Sequence, residues 1–185
     1  MELGYKIELL FPSFKVYSVG MEIERKFIVK TLPDLSSIQP LKYERYFVKL
    51  EEGYQERVQR RGDKYEFEIK KLVPTVGNIS HHEKTRRQIT QEEFDRFKIG
   101  KENLGIIRNS YKISEHPDLS IKIYHGRFEG LVRAEIEFQS EEEAKNYVPE
   151  EWMGEEITNS PLGMDSRLLQ LTLEEFKSLL GRLEK

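Results

Sequence analysis

The 185-residue chain contains no cysteine. That absence excludes disulfides, a thiolate nucleophile and any Cys-ligated zinc or iron–sulfur centre. An excess of charge of either sign is also missing: 30 Lys and Arg stand against 33 Asp and Glu, a net charge of −3. Such a balance gives no reason to expect nucleic acid as a general partner. No apolar run approaches the roughly 18 residues that cross a bilayer as a helix. Near the N-terminus Leu9, Leu10 and Phe11 are apolar, but Glu8, Pro12 and Lys15 interrupt them. No small-residue cleavage site follows, so a secretory leader is not expected. A cytoplasmic domain without a membrane partner is the expectation, as a monomer or a homodimer.

What is present argues for a folded core. The chain carries 10 Phe, 9 Tyr and 1 Trp, which supply buried area that a disordered chain lacks. Its length suits a single domain over 21–185. Two readings fit residues 1–20: an extra strand, or residues ahead of a natural start at Met21. Alternation of period two, with Ile, Val, Tyr and Phe enriched, predicts strands over 21–30, 43–50, 54–61, 64–72, 82–89, 106–113, 119–125 and 131–139. Arg61-Gly62-Asp63 reads as a hairpin turn. Thr90 with Glu93, Ser140 with Glu143 and Thr172 with Glu175 are capping-box signals that open helices over 91–98, 141–147 and 173–184. The last of these places Leu173, Phe176, Leu179, Leu180 and Leu183 on one face. Pro74 to Ser80 is expected to be a loop.

Residues two apart on a strand share a face, and the faces here are unusual. On 21–30, Glu22, Glu24 and Lys26 oppose Ile23, Phe27 and Val29; on 64–72, Glu66, Glu68 and Lys70 oppose Tyr65, Phe67 and Ile69. On 131–139, Arg133, Glu135 and Glu137 oppose Val132, Ala134, Ile136 and Phe138. Lys122, Lys84 with Arg86, and Arg57 add cations on other strands. An ordinary amphipathic sheet with its polar face in water is one explanation. The other is a barrel or deep trough with charges inside and apolar residues outside. Buried charges are costly unless paired, hydrated or bound to ions, so a chain that concentrates them there binds something highly charged.

Two carboxylates at i and i+2 lie roughly 6.5–7 Å apart, a spacing that suits Mg²⁺ or Mn²⁺ together with waters and phosphate oxygens. Cations on the same face imply an anion as the other half of the site, since Arg grips phosphate as a fork and Lys as a point charge. Other residues read as structural. His81 and His82 are expected at the surface, His125 in a turn and Trp152 in the core. Glu66 and Glu68 read as salt-bridge partners.

Met21-Glu-Ile-Glu-Arg-Lys-Phe27 resembles the ExExK signature that opens the CYTH superfamily, the triphosphate tunnel metalloenzymes. The likeness continues in order through Arg57, the Gly62 turn, Lys70, the Thr90 helix, Ala134-Glu-Ile-Glu-Phe138 and the segment from Pro149 to Thr158. It implies an α+β fold: a closed or nearly closed antiparallel β-barrel forming a tunnel, with helices packed outside. It also implies hydrolysis of inorganic triphosphate or of an organic or nucleoside triphosphate. Two alternatives are an adenylyl cyclase of the same fold and a non-catalytic binder of polyphosphate or organic phosphate.

Carried over by resemblance, Glu22, Glu24, Glu135 and Glu137 would hold Mg²⁺ or Mn²⁺. Lys26, Arg57, Lys70 and Arg108 would bind phosphates, with Lys84, Arg86 and Lys122 as further contacts, and Glu24 and Lys26 would act in catalysis. The chain departs from the family pattern at Gln59, Lys84, Arg86, Arg108, Ser110, Ser120 and Lys122, and again at Pro161-Leu-Gly163. These changes remove carboxylates and add positive charge, which predicts one metal rather than two, a different phosphate ester, or binding without turnover.

Overall fold

A computed structural model describes residues 16–73 and 80–183. Nine strands form one antiparallel sheet: β1 (Val16–Val29), β2 (Leu41–Glu51), β3 (Tyr54–Arg61), β4 (Lys64–Val73), β5 (Ser80–Gln88), β6 (Gly105–Glu115), β7 (Asp118–His125), β8 (Val132–Phe138) and β9 (Met153–Glu156). Their spatial order is β5-β4-β3-β2-β6-β7-β8-β1-β9, and β1 also pairs with β5. That extra pairing closes strands β1 to β8 into a barrel. The long β1 makes closure work: its first part runs along β5 from Val16↔Arg87 to Glu24↔Ser80, while its later part runs along β8 from Ile23↔Phe138 to Ile28↔Arg133. The short β9 continues the β5 edge of β1 through Phe27↔Glu156 and Val29↔Met153.

The eight expected strands are all present, most of them extended by one to three residues. Residues 16–20 are not a separate strand but the start of β1; residues 1–15 lie outside the described residues. Ser80 already belongs to β5, and the remainder of the expected loop, 74–79, also lies outside them. Gly62 adopts φ +58° in the two-residue hairpin between Arg61 and Lys64, a conformation that favours glycine.

The helices sit where their caps predict. In α1 (Gln91–Lys98) the Glu93 backbone N–H donates to Thr90 Oγ1 at 3.1 Å while the Thr90 N–H donates to Glu93 Oε2 at 2.8 Å. The helix buries Phe94 against Val58 and Ile89 on the outside of the barrel, a contribution of about 1.5–3 kcal/mol for one aromatic side chain. Helix α2 (Glu141–Asn146) places Ala144 in a second outer cluster with Phe27, Leu119, Ala134, Ile136, Phe138 and Met153. Trp152, expected in the core, is only half-buried at that cluster's edge; its carbonyl accepts from the N–H groups of Lys30 and Thr31.

A four-residue helix, α3 (Asp165–Leu168), precedes α4 (Leu173–Leu183). Phe176 of α4 is buried, and Leu179, Leu180 and Leu183 pack beside it, but Leu173 stays 50% exposed. Leu173 is not among the residues that pack against that cluster. No helix among the described residues is long and apolar enough to cross a membrane.

Candidate active site in the barrel lumen

Strand parity decides what the lumen contains. On β1, Glu22, Glu24 and Lys26 share one face and line a cavity of about 580 Å³. The register then aligns the second acidic strand: Glu24 opposes Glu137 and Lys26 opposes Glu135 across the β1–β8 ladder. The expected cations Arg57, Lys70, Lys84, Arg86, Arg108 and Lys122 line the same cavity from β3, β4, β5, β6 and β7. All eleven site residues expected from the sequence are therefore brought together.

Three of the four acidic residues are held by cations. Glu22 is paired with Lys84 and, at 3.2 Å, with Lys70. Glu24 lies 2.7 Å from Lys26 Nζ and 3.3 Å from Lys70 Nζ. Glu135 is paired with Lys122 and, at 3.4 Å, with Arg133. Burial would raise all three carboxyls, but these neighbours hold them below the ordinary range. Glu137 differs. It has no ion pair among the described residues, and burial together with Glu22 and Glu135 raises its carboxyl. Among the described residues no three acidic or imidazole groups converge as a ready metal cluster, because lysines stand between them.

Glu68 is fully buried and paired with Arg57 and, at 3.0 Å, with Arg86, the partner role its strand position suggested. Gln59 stands in the cavity as a relay rather than a gap. Its Oε1 accepts from Arg45 Nε and Nη2 at 3.1 and 2.7 Å, and its Nε2 donates to Glu66 at 2.9 Å.

Arg45 is one of several cavity-lining residues not expected from the sequence, although the alternation Tyr43-Arg45-Phe47 contains the signal. His82 is a correction. It is 6% exposed rather than at the surface, with Nδ1 3.4 Å from Glu24, because it shares strand parity with Lys84 and Arg86. Burial, with Lys70 adding to it, pushes its imidazole down to about 3, so it stays neutral. The side chain of His81 lies outside the described residues.

Asp165 was also missed, and it organises the deep end. Its carboxylate accepts from Arg45 Nη1 at 2.6 Å, Arg108 Nη1 at 3.2 Å, Arg133 Nη2 at 2.9 Å and the Tyr124 hydroxyl at 2.8 Å. Burial would raise it, yet the guanidiniums of Arg108, Arg133 and Arg45 hold it well below the ordinary range. Below this group the inner faces turn apolar. Ile28, Phe47, Ile106, Tyr124 and Leu131 pack against Ile157, Leu162, Leu168, Leu169 and Phe176 of the C-terminal segment. The expected tunnel is thus closed at this end, because large side chains of four strands, with Leu131 just ahead of β8, fill it and the returning chain covers them.

The cavity as a whole favours an anion. Eleven Lys and Arg line it against seven carboxylates. Adding Glu66 and Glu68 behind them still leaves cations in excess. Arg133, 2% exposed, leaves its Nε–H without a hydrogen-bond partner among the described residues, a cost of about 1–3 kcal/mol that an anion or water at this point would relieve.

No protein-family model matches the chain. An inorganic triphosphatase from Nitrosomonas europaea (strain ATCC 19718 / CIP 103999 / KCTC 2705 / NBRC 14298) is 29% identical over 141 residues, covering 74% of this chain and 89% of that protein. A solved structure of an inorganic triphosphatase shares the fold with TM-score 0.61 and 22% identity over 82% of this chain and 95% of its own. A second, of a hypothetical protein, gives TM-score 0.60 and 24% identity over 81% and 98%. The acidic strands thus stand in the expected order around a closed barrel whose fold these solved structures share, and the likeness to the triphosphatase spans most of both chains.

Proposed function

We propose that the lumen binds a triphosphate-bearing anion and that the protein hydrolyses it with Mg²⁺ or Mn²⁺. The observation that carries this reading is an enclosed excess of cations facing four carboxylates on adjacent strands. The triphosphatase relative supports it. In the reaction, water adds to the terminal phosphorus, the bond to the remaining diphosphate oxygen breaks, and the water's proton passes to solvent.

The donors fit a hard cation. Mg²⁺ commonly takes one or two carboxylates and fills its other positions with water and phosphate oxygens. Glu137 has no ion pair among the described residues, and its raised carboxyl beside Glu22 and Glu135 is the state that a cation relieves. Glu22, Glu24, Glu135 and Glu137 would hold the metal. When bound, it supplies charge neutralisation at the phosphoryl oxygens and a more acidic water. Glu24 stays ionised between Lys26 and Lys70, so it serves as a negative donor rather than as a proton acceptor. Lys26, Lys70 and Arg57 exchange part of their bonding to carboxylates for phosphate oxygens as the anion enters. Lys84, Arg86, Arg108 and Lys122 add positive charge around it.

The test is orthophosphate release from tripolyphosphate with each metal. Cyclic AMP formed from ATP in its place would indicate the cyclase reading. A second reading, binding without turnover, is favoured by the pairing of Lys84 with Glu22 and of Lys122 with Glu135. It predicts a raised melting temperature with tripolyphosphate and no phosphate release.

A further inference from the structure

We propose that the cavity selects anions by a free phosphate end, which enters first and meets a blind floor. Linear polyphosphates and terminal phosphate monoesters would then be accepted, and chains esterified at both ends refused. This rests on the reading that the lumen binds phosphates, and adds a direction and a selectivity to it.

The two ends of the cavity differ in kind. At the mouth, the side chains of Lys112 and Asp118 are 40% and 43% exposed and that of Glu115 is 77% exposed. At the other end, Arg133 and Asp165 are 2% and 7% exposed and rest on the apolar layer that closes the barrel. Asp118 and Tyr124 mark the two levels on β7, six residues apart. At a rise of about 3.3 Å per residue and a tilt of about 40°, the depth is about 15 Å, which suits an extended phosphate chain lying along the axis.

The floor is built to stay in place. Arg133 Nη1 donates to the Leu162 carbonyl at 3.1 Å, and Gln55 Nε2 donates to Ser166 Oγ at 3.0 Å. A Cβ on Gly163 would sit 1.8 Å from the Ile157 carbonyl oxygen, so this turn is packed more closely than any other residue type permits. Just above it, Arg45, Arg108 and Arg133 converge, and the Nε–H of Arg133 is still unpartnered. A compact terminal phosphate can satisfy those donors. An esterified end would carry its organic group into the guanidinium cluster and leave the buried Arg133 Nε–H unsatisfied, which is how polar sites reject a misfit ligand most strongly.

The test compares binding of tripolyphosphate, ATP and diadenosine tetraphosphate to the intact protein by calorimetry, at one pH and one salt concentration. These ligands have two, one and no free phosphate ends, and the last two carry nearly the same charge. Tripolyphosphate and ATP are expected to bind, and diadenosine tetraphosphate to bind at least ~100-fold more weakly than ATP. Affinity for diadenosine tetraphosphate within several-fold of that for ATP overturns this proposal alone. No binding of tripolyphosphate overturns it together with the reading beneath it.

Discussion

Arg45 Nη1 and Asp165 Oδ2 are separated by 120 residues in the chain and by 2.6 Å in space. This ion pair fastens the C-terminal segment to the inside of β2, and two further guanidiniums share the same carboxylate. Asp165→Ala removes the carboxylate that three buried guanidiniums share. Breaking a buried pair from one side costs about 3–5 kcal/mol, so the urea midpoint should fall sharply. Inorganic phosphate should restore part of that loss, since an anion that binds only the native state stabilises it. A variant as stable as the parent would show that Asp165 does not hold the floor.

Glu24→Gln keeps the side-chain volume and removes one negative donor. Phosphate release from tripolyphosphate should be abolished while the circular dichroism spectrum stays unchanged. Stability should fall by about 1–3 kcal/mol, because Lys26 and Lys70 each lose a charged partner. Turnover equal to that of the parent would remove Glu24 from the metal site.

Lys84→Met releases Glu22 from one of its two ammonium partners. Taking a positive charge from beside a metal donor should tighten Mn²⁺ binding by at least ~10-fold, measured by titration without substrate. Unchanged Mn²⁺ affinity would mean that Glu22 is not a ligand.

His82 makes stability depend on pH. Its imidazole is held down to about 3 in the folded chain, against an ordinary value of 6.5. The unfolded chain therefore takes up the proton first, and stability declines as pH falls below 6.5, by at most ~1.4 kcal/mol per pH unit. Denaturant midpoints between pH 7 and pH 5 should show that decline in the parent and lose it in His82→Asn. Below the ordinary carboxylate range Glu24, Glu135 and Asp165 add to the loss, because their lowered carboxyls accept protons more readily once unfolded. Glu137, whose carboxyl is raised, opposes it.

Much of this site could be read from strand parity. Glu22, Glu24, Lys26, Glu135 and Glu137 alternate with residues that are apolar except Arg25, and period-two alternation survives any tertiary arrangement. The same parity holds for His82, two residues before Lys84, and for Arg45, between Tyr43 and Phe47. Asp165 carried no such signal. It stands in a four-residue helix after a turn, where no periodicity marks a side chain as inward-facing.

The order of apolar and ionic residues along the chain determined the strands, the capped helices and which faces carry charge, because these depend on near neighbours. Only the tertiary structure decided that β1 reaches both β5 and β8, that lysines occupy three of the four acidic residues, and that the lumen has one sealed end. Those outcomes depend on register and on contacts across more than a hundred residues, where closure geometry and the pairing of buried charge, not local preference, select the arrangement.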